Sequence, residues 1–515
     1  MEQGEKTTNN PPTETVALSS PEADVKEGDV KVASPYRRWN EIRSATRALP
    51  VEILSTIFQL VCTSFPSFLC SGDFHRETSL ELNTSYISAL TLSAVSHWWR
   101  EVAISTPKMW QTLNIRVEND QSERAELWAN QLRLCIERSH SAMDLVLDFG
   151  SIAEIGSALR DMPHPRDTGI FLDQLEWLVF VEYPGAFKNL SLLGLDELRW
   201  SQLSFLLEPL SHLEELRVDC SWVYYLRASL EISNLRDVLS PRLTTLDLSS
   251  CPYDLSVELL LHCPNLTRCR SIISIQPHEE STWTYPIDHD HVLPRLEWLH
   301  WSAIKNRNTL RFATTSAPSL RYLKWAHHMP SPDDALVSGI DTAFIQFLST
   351  ATQLEELDIA IKNRYVALPA RTLAFLPRIV DAAPVNVQKL TLHVTRRQLV
   401  TTPSPFITPL MGRHSAQSSS LTIPLPTLKA LSLVLDEPGP MDRPSVQRED
   451  WIATNLITFL RQRWQLGLVH EFRLSFNFTC KKWDDKVYEG FRELIREGLR
   501  LEIDINDASV QWLQM

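Results

Sequence analysis

The densest run of side chains able to do chemistry is Asp288-His289-Asp290-His291, which offers oxygen and nitrogen donors of the kind that hold a divalent metal. It lies between Pro286 and Pro294, just ahead of a strand pattern. Because neighbours along a chain rarely turn toward one ion, a solvated loop is expected there. Cys263 and Cys269, with His262, lack a second pair at zinc-finger spacing and are expected to be core thiols. His327-His328 closes another strand pattern and has the same plain reading. The chain contains no phosphate-cradling Gly-Lys loop, no dinucleotide-binding glycine pattern, no H-E-x-x-H and no G-x-S-x-G. No catalytic residue, metal or cofactor is therefore expected, and the chain is read as a binding protein rather than an enzyme.

The side chains that remain are those set out at regular intervals by a recurring phrase, L-x-x-L-x-h, where h is apolar. Copies begin at Leu175, Leu195, Leu213, Leu243, Leu296, Leu320, Leu354, Val387, Leu428 and Val469, with a weaker one at Leu266. Phrases such as SPRL, CPNL, LPRL, APSL and LPTL precede several copies, so a proline-marked turn is expected to feed each strand. Successive side chains of a strand point to opposite faces, which sends the leucines inward and the third and fifth positions outward. Those outward positions are Trp177, Arg199, Arg217, Asp247, Trp298, His300, Tyr322, Lys324, Glu356 and Asp358. Aromatic and arginine side chains are the types that anchor protein interfaces, so this face is the candidate binding surface for a protein target.

One strand cannot bury its apolar side alone, and repetition lets neighbours build a continuous core. The spacing varies from 18 residues between Leu195 and Leu213 to 41 between Val387 and Leu428, so the array is irregular. Cys251 and Asn477 stand at the ninth position of their copies, where such a residue fills the turn behind the strand. Residues 401–420 are rich in Pro and Ser and read as a surface excursion. Toward the end come a helix over 451–463, another over 485–497 stopped by Gly498, and a last strand over 499–505.

The N-terminal part is organised differently. Residues 1–34 are rich in Pro, Thr, Ser and acids and are expected to form a disordered tail. A mixed-charge helix is expected over 36–48, and Leu49-Pro50 opens another that runs to Cys62, with Pro50 at its first position and Glu52 in its first turn. Ile53, Leu54, Ile57, Phe58 and Val61 make one wide apolar stripe on it. After a polar spacer over 63–85, Leu90, Ala94, Val95, Trp98, Val102 and Ala103 repeat at helical spacing as far as Pro107, and Met109-Trp110 closes the unit.

The formal charge of -13 argues against nucleic acid or an anionic membrane as partner, since both demand a basic surface. No apolar run approaches the roughly 18 residues of a membrane span, and no signal-peptide pattern opens the chain. Eight cysteines with no C-x-x-C pair fit free thiols in a reducing compartment, so cytosol or nucleus is expected.

Leu49-Pro50-Val51-Glu52-Ile53-Leu54 through Ile57-Phe58, then Val95-Ser96-His97-Trp98-Trp99-Arg100 and Pro107-Lys-Met-Trp110, resemble the F-box, in particular that of fungal F-box proteins with degenerate leucine-rich repeats. The resemblance implies an α/β architecture: a helical F-box region over 35–115, followed over 116–515 by an irregular leucine-rich repeat solenoid with a curved parallel sheet. It further implies that Leu49, Pro50, Ile53, Leu54, Ile57, Phe58, Val95 and Trp98 form the internal apolar surface and the one facing a Skp-type adaptor of a cullin-RING ligase. The chain would then be the substrate receptor of an SCF-type ubiquitin ligase. The long spacer departs from a compact F-box, and Ser96 stands where the family often has Cys. The alternatives left open are that residues 49–110 simply cap the repeat array, and that the repeats are an interaction scaffold without ubiquitin transfer.

Overall fold

The structure is a computed structural model, and it describes residues 45–63, 89–116, 125–140, 143–148, 182–183, 185–193, 210, 212–220, 241–251, 253–272, 290–303, 307–328, 335–362, 370–395, 410, 413–414, 421–436, 449–477, 485–505 and 508–509. The expected tail over 1–34, most of the expected helix over 36–48, and almost all of the spacer over 63–85 lie outside these residues. The chain divides into two compact units at Met109/Trp110.

The first unit is helical. Helix α1 (Val51–Thr63) starts one residue later than the sequence suggests, with the Pro50 carbonyl accepting from the Ile53 and Leu54 N–H groups at 3.1 Å. Proline has no N–H to lose there, which suits it to a helix start. The second apolar segment is two helices rather than one, α2 (Ala89–Val95) and α3 (His97–Ile104). Ser96 breaks it: its backbone is extended (φ -157°, ψ 167°) and its Oγ accepts from the Trp99 N–H at 3.1 Å. A serine at this point satisfies one of the four donors that a helix start leaves without partners.

The second unit is α/β. Its main sheet has fourteen strands among the described residues, hydrogen-bonded in near-sequential order. They are β1 (Thr112–Arg116), β2 (Met143–Asp148), β3 (Phe187–Leu193), β4 (Glu215–Asp219), β5 (Thr245–Ser249), β6 (Arg268–Ile272), β8 (Trp298–Ala303), β10 (Tyr322–His328), β11 (Glu356–Lys362), β12 (Lys389–Thr395), β15 (Ala430–Asp436), β16 (Glu471–Asn477), β17 (Arg500–Ile505) and β18 (Ala508–Ser509). Two small pairs, β7 (His291–Val292) with β9 (Thr315–Ser316) and β13 (Arg413–His414) with β14 (Leu421–Thr422), stand apart. Strands β1 to β17 of the main sheet run parallel, and β18 turns back antiparallel on β17.

One in-register row, Leu113-Leu145-Leu190-Leu216-Leu246-Cys269-Leu299-Leu323-Leu357-Leu390-Leu431-Leu474-Ile503, crosses thirteen strands and is buried throughout. From β4 to β15 this is the second leucine of the strand phrase, with Cys269 in its place on β6; at β16 the register moves by two residues and the last apolar residue of the phrase, Leu474, takes the place that Phe472 would have filled. Side chains on the other face of β3, β4 and β5 alternate with it and are half-buried.

The turns match the proline phrases. The N–H groups of Leu266, Leu296, Leu320 and Leu428 each donate to the carbonyl three residues back, which places Pro264, Pro294, Pro318 and Pro426 at the second turn position. A fixed φ favours that position. The residue after the proline braces the array: Asn265 Nδ2 donates to the Pro241 carbonyl at 2.7 Å, and Ser319 Oγ to that of Pro294 at 2.6 Å.

Several strands lack the expected phrase. Between β2 and β4 the sheet is occupied by Phe187–Leu193, which pairs with both. The copies read at Leu175 and Leu195 lie outside the described residues. Trp110-Gln-Thr-Leu113-Asn-Ile115 carries β1 with tryptophan in the first position; Trp110 is buried and begins the second unit, six residues before the boundary read from sequence.

Helices α4 (Ala125–Ser139), α5 (Tyr253–His262), α6 (Ala335–Thr350), α7 (Ala370–Ala382), α8 (Glu449–Gln465) and α9 (Asp485–Arg496) complete the unit. Helix α9 ends at Gly498, whose φ of +105° lets the Leu499 N–H reach the Leu494 carbonyl at 3.0 Å, as the sequence anticipates. Among the described residues, no helix is long and apolar enough to cross a membrane.

Candidate functional site

Each unit carries one candidate surface. In the first, the structure divides the stripe read on α1. Leu54 and Phe58 are buried, and Phe58 packs on Trp99 with ring centroids 4.8 Å apart. The Trp99 indole N–H donates to Thr46 Oγ1 at 3.0 Å, and Ser55 shares a 2.6 Å hydrogen bond with Thr106. Ile53 and Ile57 instead face outward, and Leu60, which the sequence reading passed over, continues them at i, i+4 and i+7. Their exposures of 49%, 41% and 65% make a second, uncovered apolar stripe on one helix. Val95 and Pro50 are also exposed, and Leu49 and Trp98 are half-buried.

In the second unit the candidate is the sheet face opposite the leucines. Trp177 and Arg199 lie outside the described residues. The other eight expected residues share two in-register rows. One row runs Glu215-Thr245-Arg268-Trp298-Tyr322-Glu356-Lys389, and the other Arg217-Asp247-Arg270-His300-Lys324-Asp358-Thr391. Adjacent parallel strands lie about 4.8 Å apart, so these side chains are neighbours across the sheet.

Those neighbours pair with one another. Asp247 stands between Arg217 at 3.9 Å and Arg270 at 3.6 Å, and Asp358 between Lys324 at 3.5 Å and His393 Nε2 at 3.0 Å. Glu356 meets Lys389 at 3.0 Å. The two aspartates are therefore counter-ions within the face, not free outward charges as the strand pattern alone suggests; Asp358 is 9% exposed. Burial raises the Asp247 carboxyl from its ordinary value, and Arg270 and Arg217 only partly oppose it. Burial also pushes Asp358 up, but the hydrogen bond and charge of His393, with Lys324 and His300, bring it below the ordinary value.

At the centre, Trp298 and Tyr322 stack face to face, with centroids 5.2 Å apart and planes within 5°. The Arg268 guanidinium lies 5.4 Å from the indole centroid on Trp298's other neighbouring strand, within reach of a cation–π attraction. Tyr322 keeps its proton: burial, then Asp358 and Glu356, raise its pKa. Arg268 and Arg270 were missed because their copy has Cys269 and Ser271 where the phrase asks for leucine and a large apolar residue. The alternation Arg268-Cys269-Arg270 was the available signal.

Beneath this centre the core is aromatic. Trp301 and Trp325 follow the leucine row, and both pack edge-on against Phe312 at 5.2 Å. Tyr253 Oη accepts from Trp301 Nε1 at 3.2 Å and from Thr309 Oγ1 at 2.7 Å. Buried Glu258 pairs with Arg311 and lies 2.8 Å from His262. His262 is thus part of a structural network, and Cys263 and Cys269 are core thiols as expected. Of the acidic His cluster, Asp290 and His291 are described and Asp288 and His289 are not. Among the described residues, no group of three or more His, Cys, Asp or Glu is arranged to hold a metal.

No family model and no curated protein matches the chain. The two surfaces are an apolar stripe on one helix and a sheet face of mixed aromatic, cationic and carboxylate side chains.

Proposed function

We propose that the chain is a substrate receptor of an SCF-type ubiquitin ligase, binding a Skp-type adaptor through α1 and its neighbours and a protein target through the open sheet face. The observation that carries this reading is the outward stripe Ile53, Ile57 and Leu60 beside a separately satisfied interior stripe. A helix needs one apolar face to pack, and a second one left in water favours a partner. Covering these three partly exposed side chains is worth roughly 2 to 5 kcal/mol of transfer free energy, enough to matter in a complex to which other contacts also contribute. The resemblance to the F-box assigns the same helix to adaptor binding. The mechanism is tethering: a target held on the sheet face and a ligase held at α1 raise the effective concentration of target lysines near charged ubiquitin, with no bond chemistry by this chain.

The test is titration of the purified full chain with a Skp-type adaptor. Binding at micromolar concentration or tighter is expected, weakened about 30-fold in an Ile53→Ser/Ile57→Ser variant, which corresponds to roughly 2 kcal/mol. A chain that does not bind the adaptor overturns the ligase reading.

A further inference from the structure

The central part of the open face is a two-by-three grid on β6, β8 and β10: Arg268, Trp298 and Tyr322 in one row, and Arg270, His300 and Lys324 in the next. It holds three fixed positive charges and no carboxylate, in a chain whose formal charge is -13. Next to the grid stand Thr245 and Asp247 on β5 and Glu356 and Asp358 on β11, with Glu215 and Arg217 one strand further out on β4 and Lys389 on β12, so that acids outnumber fixed cations on each flank. This arrangement sets both the sign and the size of a complementary ligand. An anionic group over the grid meets Arg270, His300 and Lys324, while a long polyanion such as nucleic acid would also run over the flanking carboxylates and be repelled.

The surroundings strengthen the effect. Arg270 and Lys324 have side-chain exposures of only 12% and 23%, so an arriving anion meets them in a medium poorer in water than bulk solvent. The ion pairs they already make, at 3.6 Å to Asp247 and 3.5 Å to Asp358, are loose contacts, not short bidentate ones. Beside the cations, the stacked pair Trp298 and Tyr322 offers its ring edges as apolar surface for a neighbouring side chain.

We propose that the target segment recognised on this grid is acidic, placing one or two Asp or Glu carboxylates on Arg270, His300 and Lys324 with an apolar residue beside them on Trp298 and Tyr322. This rests on the reading of the sheet face as the target-binding surface and specifies its chemistry. The occupant is a carboxylate-bearing peptide. A phosphorylated one shares the anionic chemistry and is distinguished by the experiment.

The probes are four pools of synthetic 12-residue peptides with random flanks, whose central pair is fixed as Asp/Glu, Asn/Gln, Lys/Arg or phosphoserine, each presented to the purified full chain. At least tenfold greater retention of the Asp/Glu pool than of the Asn/Gln pool is expected, lost in an Arg270→Gln/Lys324→Gln variant and reduced by 0.5 M salt. Thermal melting of each variant checks that it is folded. Should the double variant fail to fold, Lys324→Glu alone is expected to turn the preference toward the Lys/Arg pool. Equal retention of the acidic and amide pools, retention of the phosphoserine pool alone, or a preference unchanged in a folded variant overturns the proposal. Adaptor binding measured on the same samples keeps the two readings apart: a chain that selects acidic peptides without binding the adaptor loses the ligase assignment and retains this one.

Discussion

Breaking the buried pair of Glu258 and Arg311, which lies in the layer under β8 and β10, is expected to destabilise the second unit strongly. Glu258 is 4% and Arg311 7% exposed, so removing one partner leaves the other charge in a water-poor interior. Such changes cost about 3 to 5 kcal/mol. Arg311→Met belongs near the lower end, about 3 kcal/mol by the same rule, because His262 remains 2.8 Å from the carboxylate. The double variant Glu258→Gln/Arg311→Met carries neither charge and is expected to recover at least about 2 kcal/mol of the summed single costs. Urea unfolding of the full chain, followed by tryptophan fluorescence, gives the four midpoints of the cycle. The pH dependence supplies a second readout. Burial raises the Glu258 carboxyl, but His262 and Arg311 outweigh it and bring its folded pKa below the ordinary value. Its stabilisation is therefore complete above the unfolded glutamate value of about 4.3 and is lost as pH falls through the lowered folded value. The acid limb of the stability curve should be shallower in Glu258→Gln. Single variants within 1 kcal/mol of the parent, or costs that simply add, would refute the reasoning, because either result means that the two charges do not depend on each other.

The two faces of α1 should separate in stability measurements: Leu54→Ala, at a site 2% exposed, costs about 2 to 5 kcal/mol, while Ile53→Ser, at 49% exposure, stays within about 0.5 kcal/mol. Gly498→Ala forces a Cβ onto a φ of +105° and should cost about 1 kcal/mol in thermal or urea unfolding; a neutral result would mean that the turn relaxes. All six cysteines among the described residues are buried, and burial pushes the thiols of Cys62, Cys135 and Cys263 up to about 11, 12 and 12. Labelling of these six by an aromatic disulfide at neutral pH should follow unfolding, and a fast phase assigned to any of them by mass spectrometry would contradict their burial.

Much of the second unit is legible in the chain. Where the phrase L-x-x-L-x-h is present it names the inward and outward residues of the strand, because side chains alternate along extended backbone whatever the strand packs against. The prolines mark the turns because their φ is already set. The strands at Leu113 and Leu190 were hidden by tryptophan and phenylalanine in the first position of the phrase, residues that fill the same buried space as leucine but break the written pattern.

Register and coverage are a different matter, and only the tertiary structure decided them. Arg270, His300 and Lys324 are separated by 30 and 24 residues, and nothing local shows that they will stand side by side or that Asp247 and Asp358 will become their counter-ions. On α1, helical periodicity tells which side chains share a face, but not which face the rest of the unit will cover. Folding buried Leu54 and Phe58 and left Ile53, Ile57 and Leu60 in water. Composition and spacing thus determined the alternation and the inventory of side chains, while the long-range pairing of strands and helices determined which charges meet and which apolar surface remains for a partner.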